Sequence, residues 1–354
     1  MRRRGIGVEF VFMKKHNSFF TKIPLAFWLV ISVLILFICA LPVLFVKFSI
    51  IDFTSTGQIG DTIGGIMGPF IAILAALLTF IAFWAQYDAN KELIRENERN
   101  HFENRFYKMM DIHLDNTKSL ATDNNSNTSV FKKWCSEIES YYKSFTIPGL
   151  INEFEDYVQK RFKDKVHMSG FLNYVDGLLN DDEARFKVIF DICYSLFYTA
   201  SVVQYMPKDE QSEYINKFAV LYNAFMSEEK FIKLDNRSPK NEMLGRYYRH
   251  LYQIIYLIDD QPNDLYQDSS WREDFLNLLR SQMSDYEQLL LYYHSQSSFG
   301  EKWDKSNYIE KYYLIKNIPL ESIHISAGIP PIQRYSKVIK ELESRGKQFF
   351  DVVV

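Results

Sequence analysis

The sequence has few of the residues that build common catalytic and metal-binding sites. It contains only three cysteines, Cys39, Cys135 and Cys193, too few for the disulfide framework of a small secreted domain. It has no C-x-x-C pair and no pair of histidines at metal-binding spacing, so we expect no metal site. Phosphate-binding glycine loops and the G-x-S-x-G nucleophile motif are also missing. These absences disfavour an enzyme, and we expect no cofactor.

Charge and glycine separate a short head from a long body. Before residue 88 there are seven basic and three acidic residues, a net charge of +4. The remaining 34 basic and 41 acidic residues give the body a net charge of −7. The head also contains seven of the 14 glycines. Because an acidic body repels phosphates, we expect no direct nucleic-acid binding.

Two uncharged runs in the head predict a transmembrane hairpin. Residues 23–46 form an unbroken run of 24 uncharged residues, and residues 62–87 form a second run of 26. Each is long enough to cross a bilayer as a helix. The first run is too long for the apolar core of a cleaved signal peptide, which is the competing interpretation. We therefore expect residues 1–22 to be a basic N-terminal segment and residues 23–87 to be the hairpin.

The flanking charges predict the orientation of this hairpin. Basic residues precede the first run and follow the second, whereas the short connection has the single basic residue Lys47. The positive-inside rule places both termini in the cytoplasm and makes the lipid bilayer a partner. Met13 is an alternative initiator to Met1, in which case residues 1–12 would be an upstream extension.

Small residues recur at every fourth position of the second run: Gly60, Gly64, Gly68, Ala72 and Ala76. On a helix they form a ridge that lets another helix approach closely, whether the first span or a second copy of the chain. We therefore expect a homo-oligomer. Asp61 and Pro69 are candidate switch residues. Asp61 is either an acid at the water interface or a pore-lining residue, and Pro69 can kink the helix.

The body is predicted to be helical, which makes the fold class all-α. Apolar residues recur at helical spacing, and no strand-like alternation of useful length occurs. Residues 88–120 are predicted to be a helical stalk that continues from the second span. The polar residues 121–130 are predicted to be a linker, and residues 131–354 a cytoplasmic helical domain.

One body helix has contrasting faces around residues 244–258. Its apolar residues repeat at intervals of three and four, whereas Arg246, Arg249 and His250 lie on the opposite face. That face is either an ordinary solvated surface or a recognition or catalytic surface of two guanidinium groups beside an imidazole.

A second body helix is predicted to run from Trp271 to His294. Arg280, Glu287 and His294 are spaced by seven residues and would lie on one stripe together with leucines. Buried charges require partners, so this stripe predicts a polar network. We expect Glu287 to pair with Arg246 or Arg249 of the other helix.

Four segments resemble a known family when taken in this order. They are Gly57-Gln-Ile-Gly-Asp-Thr-Ile-Gly-Gly65 leading to Phe83-Trp-Ala-Gln-Tyr-Asp-Ala-Asn-Lys91, Phe102-Glu-Asn-Arg-Phe-Tyr-Lys108, Gly245-Arg-Tyr-Tyr-Arg-His-Leu-Tyr-Gln253, and residues 279–293. The chain thereby resembles the phage abortive infection proteins, an AbiC-like family of two-span bacterial membrane proteins. The resemblance implies a defence protein of the bacterial inner membrane that stops or kills the infected cell. It is compatible with a sensor partner from a larger defence system or with a phage component as partner.

Three functions remain open from the sequence. The first is a non-enzymatic effector in which the body senses infection and the spans rearrange or oligomerise to disrupt the membrane. The alternative is a membrane-tethered ribonuclease toxin that uses Arg246 and His250. Their three intervening residues miss the Arg-x4–6-His spacing of helical ribonuclease toxins. The third is a structural membrane protein without a defence role.

Overall fold

The computed structural model describes most of the chain after residue 58. The described residues are 59–120, 127–146, 150–162, 169–201, 210–228, 238–266, 268–324 and 326–351, with isolated positions between residues 29 and 47. The predicted N-terminal segment, residues 1–22, lies outside them, and the predicted first span lies mostly outside them. Within the described residues the regular elements are helices and none is a strand, which confirms the all-α class.

The longest element is α1, Ile59–Leu120, a continuous helix of 62 residues. It contains Pro69 without an interruption and has Asp61 in its first turn. From Met67 onward it is long and apolar enough, by length and composition, to cross a membrane, and no other described helix is. The second predicted span is therefore helical, whereas pairing with the first span lies outside the described residues.

The chain divides into two compact units, Met1–Asn100 and His101–Val354. Residues of α1 up to Asn100 belong to the first unit, and those from His101 belong to the second. In the second part of α1 one side is buried, with residues at helical spacing: Phe102, Phe106, Met110, His113, Thr117 and Leu120. The second half of the predicted stalk, residues 88–120, is therefore packed into the body along one side.

The remaining helices of the body are mostly short. They are α2 (Asn127–Phe145), α3 (Leu150–Phe162), α4 (Ser169–Asn180), α5 (Asp182–Thr199), α6 (Glu210–Glu228), α7 (Asn241–Asp259), α8 (Trp271–Ser281), α9 (Asp285–Gln296), α10 (Glu301–Ser306), α11 (Tyr308–Lys311), α12 (Leu320–His324), α13 (Pro331–Arg334) and α14 (Ser336–Ser344). Helix α2 begins inside the predicted linker 121–130. Val130 and Phe131 in its first turns are buried in the core, and the polar residues before them continue the helix back to Asn127.

Two hydrophobic clusters organise the body. The larger one contains the buried side of α1 after His101 together with α7, α8 and α9. The smaller one joins α3, α4 and α6 to one side of α5. Helix α5 contributes to both clusters, since Phe190 and Tyr194 lie in the larger and Ile189 and Cys193 in the smaller. The candidate site residues of the body all lie beside the larger cluster.

Candidate functional site

Among the described residues, nothing packs on the ridge of small residues on α1. Gly64 and Gly68 are exposed, and a Cβ atom built on either of them would have no described atom within 4 Å. Ala72 and Ala76 are exposed as well. In the uncharged part of α1, such a ridge suits close contact with another helix in lipid. Gly60 lies in the same helix, one turn before Gly64.

The predicted helix from Trp271 to His294 is in fact two helices. Helix α8 ends at Ser281 and α9 begins at Asp285. Ser284 caps α9: its hydroxyl accepts from the Glu287 backbone N–H, while the Glu287 carboxylate accepts from the Ser284 backbone N–H at 2.8 Å. This reciprocal capping box satisfies two backbone N–H donors that would otherwise be unpaired, and it sets the start of α9 and so the interruption between α8 and α9.

Because of this break, the predicted stripe of Arg280, Glu287 and His294 does not exist. Arg280 lies at the end of α8, where it donates to the Tyr313 carbonyl at 2.9 Å. Burial lowers the pKa of Arg280, with nearby Asp351 opposing the shift. Its role in the structure is to hold the residues after α11 against α8.

Glu287 is nevertheless the centre of a buried polar network. It is 3% exposed, and its carboxylate accepts from the Tyr247 hydroxyl at 3.1 Å. Burial raises the pKa of this carboxyl group, and hydrogen bonds from Ser284, Tyr247 and Thr117 oppose the rise. The sequence predicts Arg246 or Arg249 as the partner of Glu287. The residue of α7 that donates to Glu287 is Tyr247, on the buried face of that helix.

The two arginines of α7 lie on its exposed face. Arg246 and Arg249 are both exposed, as the solvated-face interpretation requires. His250 is half-buried, and its Nε2 lies 2.8 Å from the carbonyl oxygen of Met109 on α1. The imidazole therefore connects α7 to α1. It is not paired with Arg246, and the geometry lends no support to a ribonuclease centre at these two residues.

His294 occupies a separate buried aromatic cluster. Its ring stacks on Tyr248 with centroids 3.7 Å apart, and its Nδ1 lies 3.0 Å from the Tyr194 hydroxyl. Burial lowers the pKa of His294 to about 3, so the ring is neutral at physiological pH. A neutral, enclosed imidazole of this kind fixes the packing of α5, α7 and α9.

The second part of α1 supplies residues that the sequence did not indicate. His113 is 1% exposed, and its ring lies beside Tyr247, with centroids 5.2 Å apart, and beside His250, at 6.3 Å. Thr117, one turn later, lies within hydrogen-bonding reach of Glu287. We call His113, Thr117, Tyr247, His250 and Glu287 the polar seam. The sequence offered one signal for it, since Ser284-Asp-Tyr-Glu287 matches a capping box and places Glu287 at a helix start.

The remaining contacts of α1 extend this seam with aromatic residues. Phe102 packs edge-on against Trp271 and Phe275, with centroids 5.4 Å and 4.9 Å apart. Glu103 accepts a hydrogen bond of 2.6 Å from the Tyr266 hydroxyl. Residues 101–120 of α1 are thus held by an aromatic half and a polar half.

The described residues contain no group of three or more histidine, cysteine or acidic side chains that could hold a metal ion. Cys135 and Cys193 are buried thiols outside any disulfide. Burial raises the pKa of the Cys135 thiol, helped by nearby Glu139, which makes it a poor nucleophile.

Comparison with known proteins connects one part of the body to a family. Residues 239–323 match the family model described as "Putative phage abortive infection protein". The match includes two of the four resembling segments, those in α7 and across α8 and α9. Neither the curated proteins nor the solved structures include a match to the chain. The resemblance to the phage abortive infection family is therefore confirmed over the segment that holds residues 101–120 of α1.

Proposed function

We propose that this protein is a membrane effector of anti-phage defence that acts by abortive infection. In this proposal the helical body detects infection or a partner, and α1 transmits the change to the membrane. The spans then rearrange or oligomerise, and the inner membrane loses its barrier. Arrest or death of the infected cell would follow.

One observation carries this proposal: α1 joins the two features that a membrane effector needs. Its first part contains the long apolar run, and no described residue packs on Gly64 or Gly68. Its second part packs on residues 239–323, which match the abortive infection family. Because both lie on one continuous helix, a change in the body has a direct covalent route to the apolar run.

The open ridge supports assembly as the active step. In lipid, helices associate through close packing of small residues because no hydrophobic effect drives them together. A ridge without a partner in one state can accept one in another. Such an effector must be bistable, since a cell cannot maintain a protein that is toxic at rest.

The test is a measurement of membrane potential with a voltage-sensitive dye in bacteria that express the full chain and are then infected with phage. Total RNA integrity is read from the same samples. Depolarisation before lysis, with intact RNA, is the expected result. Fragmented RNA with a maintained potential would refute the membrane mechanism and favour a ribonuclease.

A matched pair of variants makes this test specific for the ridge. Gly68→Ile and Gly64→Ile place a branched side chain on the ridge. Phe70→Ile places the same side chain on the opposite side of the same helix, two residues after Gly68, where Phe70 is exposed. We expect the ridge variants to lose depolarisation and protection while Phe70→Ile retains both. Equal behaviour of all three variants, each inserted in the membrane, would remove the ridge from the mechanism.

A further inference from the structure

His113 is the one buried imidazole of the polar seam whose nitrogens lack hydrogen-bond partners. It is 1% exposed, and neither Nδ1 nor Nε2 has a partner among the described residues. Native proteins pair nearly all buried polar side-chain atoms, because an unpaired one loses its hydrogen bonds to water without replacement. Such a group opposes the packing that buries it.

The position of His113 determines which contact it opposes. It lies on the side of α1 that packs on α7, between Met109, whose carbonyl meets His250 at 2.8 Å, and Thr117, which reaches Glu287. The unpaired group is therefore in the middle of the polar half of the contact. In the aromatic half, around Phe102, the indole nitrogen of Trp271 is also buried without a hydrogen-bond partner among the described residues. Unlike the imidazole of His113, the indole does not take up a proton.

We propose that residues 109–120 of α1 undock reversibly from α7 and α9, and that protonation of His113 drives the undocking. In the docked state the neutral ring has no polar partner. In the undocked state both nitrogens gain water, and the ring accepts a proton freely. The aromatic contacts of Phe102 and Phe106 stay in place, so the body does not unfold.

The surroundings of His113 favour the neutral ring when α1 is docked. The titratable groups that face His113 are Tyr247 and His250 on α7. Glu287 on α9 lies near Thr117, which is one turn further along α1. Burial, and then the neighbouring His250, lower the pKa of His113 to about 4. The carboxylate of Glu287 is occupied by Ser284 and Tyr247 and so is not a free counter-ion.

The size of the effect follows from proton linkage. In the undocked state the pKa of His113 returns to about 6.5, its ordinary value. Lowering the pH from 7.5 to 5.5 therefore favours the undocked state about tenfold, since only that state binds the proton in this interval. Undocking would provide the movement that the effector mechanism requires. That link rests on the proposed function, whereas undocking itself is tested without it.

The experiment is hydrogen–deuterium exchange with mass spectrometry on the full chain in detergent micelles at pH 7.5 and pH 5.5. Rates are corrected for the intrinsic pH dependence of amide exchange. Peptides from residues 285–296 report global opening. We expect the opening equilibrium of residues 109–120 to rise about tenfold and to exceed that of residues 285–296 at both pH values. Opening of residues 109–120 that does not rise in the wild-type chain, or that never exceeds global opening, would overturn the proposal.

Variants assign the effect to one side chain. His113→Gln removes the titration, so we expect it to abolish the tenfold rise in opening of residues 109–120, whereas His101→Gln on the exposed side of the same helix should leave that rise unchanged. A tenfold rise that persists in His113→Gln would overturn the proposal. If His113→Gln does not fold, His113→Phe serves the same purpose, since it removes the unpaired nitrogens and keeps a ring. Because the exchange experiment uses purified protein, its outcome does not depend on whether the chain depolarises membranes in infected cells.

Discussion

The hydrogen bond from Tyr247 to Glu287 offers a direct test of the polar seam. Glu287 is 3% exposed, and the Tyr247 hydroxyl donates to its carboxylate at 3.1 Å. Tyr247→Phe removes this donor and leaves the ring, which also contacts His113 and Phe131. The change therefore isolates a single hydrogen bond to a buried carboxyl group. We expect the variant to fold with lower stability.

The expected loss is about 2 kcal/mol, since hydrogen bonds to charged buried groups are typically of that size. For a unit of this length the loss corresponds to a fall of about 4–8 °C in melting temperature. Near-ultraviolet circular dichroism follows the melting, because it reports the packing of the many buried tyrosines. Wild type and variant are compared in the same detergent at pH 7.5.

The same change at Tyr256 gives the matched control. Tyr256 lies on the exposed face of α7, and its hydroxyl meets Asp260 only at 3.4 Å. Tyr256→Phe should therefore alter stability by less than about 0.5 kcal/mol, as surface changes usually do. If Tyr247→Phe melted at the same temperature as Tyr256→Phe, the polar seam would not stabilise the body and the reasoning above would be refuted.

Three further predictions concern the body. Gly300→Ala should prevent stable folding, because its Cβ atom would lie 1.8 Å from the His294 carbonyl oxygen. At Gly177 an added Cβ atom meets no atom within 4 Å, so Gly177→Ala should be neutral or should stabilise the fold by up to about 1 kcal/mol. Soluble yield and melting temperature of the two variants check both expectations. Asp259→Asn should cost about 1–2 kcal/mol in thermal unfolding, because the carboxylate is paired with Lys311, and a wild-type melting temperature would contradict this. The pKa values of His294 and His113 are lowered to about 3 and about 4, so the unfolded chain binds both protons first. Stability should therefore fall by about 2 kcal/mol between pH 6.5 and pH 5.5, about 1 kcal/mol for each histidine, and denaturant midpoints that do not move would exclude this.

The sequence allowed the fold class and the apolar face of α7 to be predicted because local chemistry determines them. The same local chemistry starts α5 after Asp181, whose carboxylate accepts from the backbone N–H groups of Glu183 and Ala184. The buried face of α7 follows the spacing of its apolar residues, for example Leu244 and Ile258. Both features depend on neighbours within one helix.

The polar partners could not be predicted because they depend on which helices meet. The sequence spacing of Arg280 and Glu287 suggested one face of one helix, and the Ser284 cap placed them on two helices instead. The same spacing suggested an arginine partner for Glu287, but helix packing turned Tyr247 inward. The one-sided packing of the second half of the predicted stalk could not be predicted for the same reason, since a half-apolar helix is equally compatible with solvent exposure and with one-sided packing until its partner is known.

The location of the family match bears on the proposed mechanism. Residues 239–323 lie outside the apolar run, yet they contain Tyr266 and His250, which make polar contacts with Glu103 and Met109 of α1. In the proposed function, this segment retains and releases α1, so it requires both firm aromatic packing and a point that can yield. The first is the contact of Phe102 with Trp271 and Phe275, and the second is His113, whose nitrogens have no partner among the described residues. We therefore propose that the matched segment controls α1 rather than carrying out chemistry at a surface residue.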